Sequence, residues 1–242
     1  MTVPKRFLDM KAERSVFWLD IKFSIGLEYV KDSQTTVLVN GIGFCTDTNI
    51  VIPDKLPDGR IVVGVSEKAF FRCDGIESVN LPATVNTIGA YAFAWCSDLE
   101  SIIAPGVVFI EERAFMGCKK LLRISLSKRL ESIEDKAFSY CTAIKDIVLP
   151  DSLFFMGTGV FEGCKSLESA TLPARLREIS NSTFNACMNL KRVILPASLK
   201  YIDEYAFAYC ISLEGMRINR TVIVNSSAFY ESGFIVEQFK VS

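Results

Sequence analysis

The sequence predicts a β-rich repeat solenoid of the α/β type, in which about eight units of roughly 23 residues stack along one axis. Three observations predict this fold class. Cysteines recur at a nearly constant spacing, a phenylalanine precedes each of them at a fixed distance, and a short apolar segment follows each of them. Every unit therefore carries an apolar stripe that it cannot bury alone, and stacking buries that stripe against the next unit.

The most regular signal is a column of phenylalanines with a cysteine three residues after each. The steps between successive cysteines are 23, 22, 23, 23, 23 and 23 residues. The phenylalanines continue once more at Phe229, where Ser232 takes the cysteine position. Apolar residues lie five and eight residues before each phenylalanine, with Thr221 as the polar exception. The pairs are Phe70/Cys73, Phe93/Cys96, Phe115/Cys118, Phe138/Cys141, Phe161/Cys164, Phe184/Cys187 and Phe207/Cys210.

One parallel strand per unit is predicted downstream of each cysteine, in a segment of the form L-x-x-I-x-L. In residues 144–149 (IKDIVL), two-residue alternation directs Ile147 and Leu149 inward, and Ile144 turns in where the strand begins. A proline often follows and ends the strand. The motif A-F-x-x-C then carries the chain back along the opposite side as a short helical or 3₁₀ turn.

Both ends of a solenoid expose apolar core, so each needs a cap. We predict an N-terminal cap over residues 1–45, a repeat array over 46–232 and a C-terminal capping strand over 233–242. About six extra residues around Pro57-Asp58-Gly59 predict a protruding turn in the first unit.

The predicted N-terminal cap contains one short helix and a β-hairpin. Pro4 favours the start of an amphipathic helix over residues 4–15. Apolar and polar residues alternate over 17–29, which predicts a half-buried strand with Phe23, Leu27 and Tyr29 on its apolar face. A turn at 32–34 then leads to a return strand over 35–40.

The overall composition disfavours several classes of function. A net charge of −1 gives no electrostatic basis for binding nucleic acid. The sequence contains no run of 18 apolar residues, so no membrane span is predicted. The chain has no histidine, the commonest general base and metal ligand. Gly157-Thr158-Gly159 lacks the lysine of a phosphate loop and is interpreted as a turn. We therefore predict no enzymatic activity, no cofactor and no metal.

The cysteine column has three physical interpretations. A metal site needs ligands that converge on one ion, whereas a 23-residue period sets the sulfurs in a line. Disulfides between neighbouring repeats would meet the distance criterion but have poor torsion geometry. The interpretation we favour is a row of small buried thiols that fill a tight turn. Cys45 lies outside this column and is predicted to be the most accessible thiol.

The exposed positions of the predicted strands form the first candidate binding surface. Apolar side chains there would supply contact area and charged ones would orient a partner; the simpler alternative is a solvated ladder of weak pairs. A second candidate is the column before the cysteines, where aromatic rings would anchor a partner or pack across neighbouring repeats. The first set comprises Ile103, Arg123, Asp146, Val148, Thr171, Arg192, Ile194 and Arg217, and the second Trp95, Tyr140 and Tyr209.

These repeats resemble the BspA-type leucine-rich repeats, which follow the pattern L-x-x-I-x-L-P-x-x-L-x-x-I-x-x-x-A-F-x-x-C. Residues 190–210 (LKRVILPASLKYIDEYAFAYC) match it, and the resemblance covers roughly residues 49–232. Ser127 and Asn219 depart from it by replacing the proline. The resemblance implies a right-handed leucine-rich-repeat array that acts as a non-catalytic binding scaffold. Many family members are surface or secreted proteins of host-associated bacteria and some protozoa, often adhesins.

The sequence thus predicts a protein-interaction scaffold that binds a protein partner through the exposed face of its repeat sheet, as a monomer or weak oligomer. The alternative is a cell-surface or secreted adhesin that binds a host protein or glycan. The N-terminal residues lack the apolar stretch of a secretory signal. We expect a cytoplasmic protein if Met1 is the native start, and a surface or secreted one if an export signal was removed.

Overall fold

The computed structural model describes residues 23–214 and 216–234, and they form the predicted solenoid of parallel strands. One turn of the solenoid is called a rung here. Each rung has three sides: a strand face, a short-strand face and a turn side that contains the A-F-x-x-C motif. The predicted helix over 4–15 and nearly all of the predicted C-terminal strand lie outside the described residues.

The strand face consists of the strands predicted downstream of each cysteine. Their alternate residues point inward, as Ile102, Ile147 and Ala170 do, and Ile144 and Leu149 are buried as predicted. These strands form two groups, and within each group all neighbouring strands pair in parallel. The strands are β3 (Asn49–Val51), β5 (Ser78–Asn80), β7 (Ser101–Ala104) and β9 (Arg123–Leu126), then β11 (Asp146–Val148), β13 (Ser169–Thr171) and β15 (Arg192–Ile194).

The short-strand face was not predicted from the sequence. In each rung its strand comes after the strand of the strand face, and the neighbouring strands of successive rungs pair in parallel. Its inward residues, such as Ile88, Ile133 and Ile202, belong to the apolar column five residues before each phenylalanine. The strands are β4 (Ile61–Val65), β6 (Thr87–Ile88), β8 (Phe109–Ile110), β10 (Ser132–Ile133), β12 (Phe155–Met156), β14 (Glu178–Ile179), β16 (Tyr201–Ile202) and β17 (Ile223–Val224).

The N-terminal part contains an antiparallel hairpin of β1 (Glu28–Lys31) and β2 (Thr36–Gly41), and β2 pairs in parallel with β4. The strand predicted over 17–29 is wrong for residues 23–27. Phe23 is exposed and Ser24 is buried, opposite to the predicted alternation. The reason is that the Ser24 amide donates to the Val51 carbonyl at 2.8 Å, and the Ser24 hydroxyl accepts from the Val51 amide at 2.9 Å.

The turn side is built from tight turns that stack on one another. Within a rung, amides bond three residues back, as Phe71 does to the Lys68 carbonyl, which is the 3₁₀ pattern. Between rungs, each phenylalanine amide donates to the next rung, as Phe93 does to the Ala114 carbonyl at 2.8 Å. The extra residues of the first unit form an exposed turn at Pro57-Asp58-Gly59, as predicted.

The phenylalanine column forms the centre of the core. From Phe70 to Phe207 the rings are at most 1% exposed. Neighbouring rings lie parallel within 10°, with centroids 5.0–5.7 Å apart. At these centroid separations the rings pack in the range favoured for aromatic pairs. Phe229 continues the stack, and Phe234 covers it at a 42° tilt.

Candidate binding face

The strand face presents most of the residues predicted to bind a partner. Ile103, Val148 and Ile194 are 47%, 72% and 63% exposed, because each is the outward residue of a strand whose inward neighbours are buried. Arg123, Asp146 and Arg192 are also exposed, and Thr171 is half-buried. Large apolar side chains left in water by a rigid sheet are a feature of interaction surfaces.

Strands β11, β13 and β15 bring five of these residues into two adjacent rows, which we call the β11–β15 patch. The apolar row is Val148, Thr171 and Ile194, which are direct neighbours in the register. The polar row is Asp146, Ser169 and Arg192, and the Ser169 hydroxyl donates to the Asp146 carboxylate at 2.5 Å. Arg192 has no ion pair within the described part of the chain, so its guanidinium is available to a partner.

The other three predicted residues lie outside this patch. Ile103 and Arg123 occupy β7 and β9, and Arg123 lies 4.0 Å from Glu100. Arg217 is exposed but follows β15 in a segment that is not a strand, so the strand face ends one rung earlier than the repeat pattern indicates.

Each face is interrupted once, at a position that no sequence pattern indicates. On the strand face no register pair joins β9 to β11, and on the short-strand face none joins β12 to β14. Both strands of the intervening rung, β11 and β12, still pair with one neighbour. That rung therefore pairs with the following rung on the strand face and with the preceding rung on the short-strand face.

The aromatic residues before the cysteines pack across neighbouring rungs, while Tyr140 and Tyr209 keep 41% and 40% of their surface exposed. Every residue at this position of the repeat, aromatic or not, has a backbone φ between 49° and 74°. A Cβ on Gly117 would lie 2.5 Å from the Trp95 ring, and one on Gly163 would lie 2.7 Å from the Tyr140 ring. Each of these rings thus lies over the glycine of the next rung. Tyr209 packs edge-on against Tyr230, with centroids 5.6 Å apart. This arrangement supports the packing interpretation of Trp95, Tyr140 and Tyr209.

The cysteine column is a row of free, buried thiols, as predicted. From Cys96 onward each Sγ donates to the carbonyl of the phenylalanine one rung earlier, at 2.9–3.2 Å. Burial raises the pKa of Cys96, Cys164 and Cys210 to about 12. The thiols are therefore protonated at neutral pH and are poor nucleophiles.

The prediction for Cys45 is wrong, because Cys45 is buried and Cys73 is the more exposed thiol. Cys73 belongs to the first phenylalanine–cysteine pair, so no earlier phenylalanine carbonyl lies in front of its sulfur as it does in the later rungs. Its half-burial raises its pKa above the usual value, with the Asp74 carboxylate as a second cause.

A second exposed apolar surface lies on the short-strand face. Phe109, Phe155, Tyr201 and Ile223 are the outward residues of their two-residue strands and are 42–63% exposed. A sequence signal for them exists. The position immediately before the apolar column that lies five residues ahead of each phenylalanine is itself apolar in several units. Among the described residues, no group of three His, Cys, Asp or Glu side chains could hold a metal ion, and no helix could cross a bilayer.

Comparison with known proteins gives a consistent picture. The family model described as BspA type leucine-rich repeat region matches residues 63–157 and 108–236, with six copies. A leucine-rich repeat protein of T. pallidum is 30% identical and has a TM-score of 0.71; the match covers 78% of this chain and 88% of that one. A comparison with curated proteins gives no significant match.

Two further solved structures are longer than this chain. A leucine-rich repeat protein from Bacteroides ovatus is 32% identical with a TM-score of 0.79; the match covers 88% of this chain and 57% of that one. One from Eubacterium ventriosum is 22% identical with a TM-score of 0.57; the match covers 92% of this chain and 58% of that one, and it shows likeness of fold alone. The chain thus spans little more than half of the length of these two proteins.

Proposed function

The chain belongs to the BspA-type leucine-rich repeat family, whose repeats generally mediate protein interaction, and we propose that it is a non-catalytic scaffold that binds a protein partner through its strand face. The observation that carries this proposal is the β11–β15 patch. It combines an apolar row, Val148–Thr171–Ile194, with an adjacent polar row that contains the unpaired Arg192.

The rigidity of the strand face supports affinity for a partner. Backbone hydrogen bonds join β11 to β13 and β13 to β15, and the inward residues Ile147, Ala170 and Val193 are buried beneath them. A surface held in this way loses little conformational entropy when a partner docks, so less of the contact energy is spent on ordering it. Ile194 and Val148 would supply the buried contact area, and Arg192 would orient the partner.

The experiment compares two matched double variants of the intact chain. Arg192→Glu with Ile194→Asp alters the strand face, and Lys200→Glu with Ile223→Asp makes the same change of charge and polarity on the short-strand face. Ile194 and Ile223 are both 63% exposed, so neither variant removes core. Proteins captured from a lysate of the native host by the wild-type chain are identified and then titrated against each variant.

We expect the strand-face variant to weaken binding by at least about tenfold and the short-strand variant to leave it unchanged. Equal affinity for wild type and the strand-face variant would remove the strand face from the proposal. Loss of binding only in the short-strand variant would move the site to Phe109, Phe155, Tyr201 and Ile223. Thermal melting of both variants verifies that the fold is intact.

A further inference from the structure

We propose that the opening between β9 and β11 is a peptide-binding slit, into which an extended, acidic segment of a partner protein adds as an extra strand. This inference rests on the proposed function, since it specifies how part of the strand face would bind. Strand addition at unpaired edges is a recurrent mode of peptide recognition, in which backbone hydrogen bonds supply affinity.

The opening is a local separation of two rungs. Almost all Cα–Cα distances between β9 and β11 exceed 8 Å, whereas strands in a ladder lie about 4.8 Å apart. The same two rungs remain joined elsewhere. The Phe138 and Phe161 rings are 5.7 Å apart, β10 pairs with β12, and the Ser152 hydroxyl donates to the Leu130 carbonyl at 2.7 Å. The slit is therefore fixed in place by the closed sides of its own rungs.

Backbone groups on both walls of the slit lack the partners that their equivalents have. In the next rung, the Glu168 and Ser169 amides donate to the Lys145 carbonyl at 2.6 and 3.3 Å. The equivalent amides, Lys145 and Asp146, have no acceptor in the described part of the chain. On the opposite wall the same holds for the Leu126 amide, although the equivalent Leu149 amide donates to Thr171 at 3.1 Å. Unpaired groups on two facing edges are complementary to one strand.

The walls of the slit also expose apolar side chains. Ile124 and Leu126 are only partly buried, whereas the equivalent Ile147 and Leu149 are buried. Leu122 is 49% exposed at a position where the neighbouring rungs carry Glu100 and Lys145. A strand in the slit would cover these side chains with its own apolar residues, which would alternate along its sequence.

The charge on the β9 wall of the slit favours an acidic occupant, while Lys145 and Asp146 on the β11 wall offset each other. Residues 118–130, which contain β9, include five basic residues and no acidic one. Lys120 pairs with Asp98 at 2.7 Å, and Arg123 lies 4.0 Å from Glu100. Lys119, Lys128 and Arg129 have no ion pair within the described residues. Carboxylates that flank the apolar residues of an incoming strand would meet these three cations, which adds to on-rate and selectivity.

The first test uses the free, intact chain and measures amide hydrogen exchange by mass spectrometry. We expect the amides of Ile124, Leu126, Asp146 and Val148, which strand alternation directs into the slit, to exchange at least about a hundredfold faster than equivalent amides that bond to the preceding strand. Those protected amides are Ser169, Thr171 and Ile194. Equal protection of the two sets would show that the slit is closed in solution and would overturn the proposal.

The second test pans phage-displayed random octapeptides against the intact chain and measures binding of the enriched peptides as fluorescein conjugates. We expect alternating apolar residues flanked by Asp or Glu. Val148→Pro removes an amide that the strand alternation directs into the slit, without removing a bond in the described structure. We expect it to weaken peptide binding by at least about tenfold, whereas Val148→Ala, which keeps the amide, weakens it about threefold or less.

The outcomes separate this inference from the proposed function. Absence of enriched peptides, or equal binding to wild type and Val148→Pro, overturns strand addition at the slit. Peptides that lose affinity for Arg192→Glu/Ile194→Asp but not for Val148→Pro would support the strand face as the binding surface and still overturn the slit. Thr171→Pro is the stability control, since it removes a paired amide and lowers Tm, whereas Val148→Pro leaves Tm close to that of Val148→Ala.

Discussion

The turn side and the strand face differ most clearly where they belong to the same two rungs. On the turn side, the Phe138 and Phe161 rings stack at 5.7 Å and the Cys164 thiol donates to the Phe138 carbonyl at 3.2 Å. On the strand face, β9 and β11 share no backbone hydrogen bond. The solenoid is continuous despite this gap, so the buried phenylalanine and cysteine columns, together with the β10–β12 pair, hold these rungs together where the strand face does not.

This difference is compatible with a stable core beside the proposed binding face. The columns bury almost all of their side chains and are closed to solvent, so they leave no space for a ligand. The strand face contributes less to cohesion, and its outward residues can vary without loss of core. The strongest test of this division of roles is to weaken each side separately and to compare the costs.

The largest cost is expected from Phe138→Ala in the centre of the stack. Phe138 is fully buried between Phe115 and Phe161, so its removal loses apolar burial and leaves a cavity. We expect the free energy of unfolding to fall by about 3–5 kcal/mol in urea denaturation. Leu122→Ala on the open strand face is the control, with an expected change within about 0.5 kcal/mol. A cost below about 1 kcal/mol for Phe138→Ala would contradict the assignment of cohesion to this column.

The next effect is expected from Gly117→Ala on the turn side. Gly117 has φ of 74°, and a Cβ there would lie 2.5 Å from the Trp95 ring. Left-handed backbone strain and the clash together should cost about 2–3 kcal/mol by urea denaturation. Ala186→Gly is the matched reverse change, since Ala186 occupies the same column with φ of 58°, and we expect no loss of stability from it. A Gly117→Ala variant as stable as wild type would show that the turn side rearranges at little cost in free energy.

The sequence predicted the stacked core well because its columns are chemically uniform. Phenylalanine and cysteine recur at a fixed spacing, and stacking brings like residues together whatever the details of the turn. The left-handed positions were not predicted, because they are occupied by Lys68, Tyr91 and Trp95 as well as by glycine, with no shared chemistry. The two-residue strands are too short for an alternation pattern to indicate them.

The candidate site was predicted only in part. Two-residue alternation identified Val148 and Ile194 as outward residues, since one buried neighbour fixes the orientation of the whole strand. The opening beside β9 depends on how one rung pairs with its two neighbours, which no local pattern encodes. The only local departures in that repeat are Leu122 in place of a charged residue and Ser127 in place of proline.

A moderate cost is expected from Cys141→Ala. The Cys141 sulfur is fully buried and donates to the Phe115 carbonyl, which also accepts the Cys118 amide at 3.1 Å. Loss of the sulfur leaves a small cavity, whereas the carbonyl keeps one donor. We therefore expect the free energy of unfolding, measured by urea denaturation, to fall by about 1–2 kcal/mol. Cys73→Ala, at the partly exposed first position of the column, should cost less than half as much. Equal costs for the two variants would indicate that burial along the column does not determine its contribution.

The smallest effect is expected from Lys191→Ala on the strand face. Lys191 Nζ lies 2.8 Å from Glu168 Oε2, but the side chains are 57% and 47% exposed, so water and salt screen the pair. Because the backbone bond from the Lys191 amide to the Glu168 carbonyl is retained, we expect a loss of at most about 0.5 kcal/mol, and less in 1 M NaCl. Urea denaturation at low and high salt measures it. A salt-independent loss above about 1 kcal/mol would mean that side-chain pairs between strands do contribute to cohesion, and that the contrast between the two sides is one of degree.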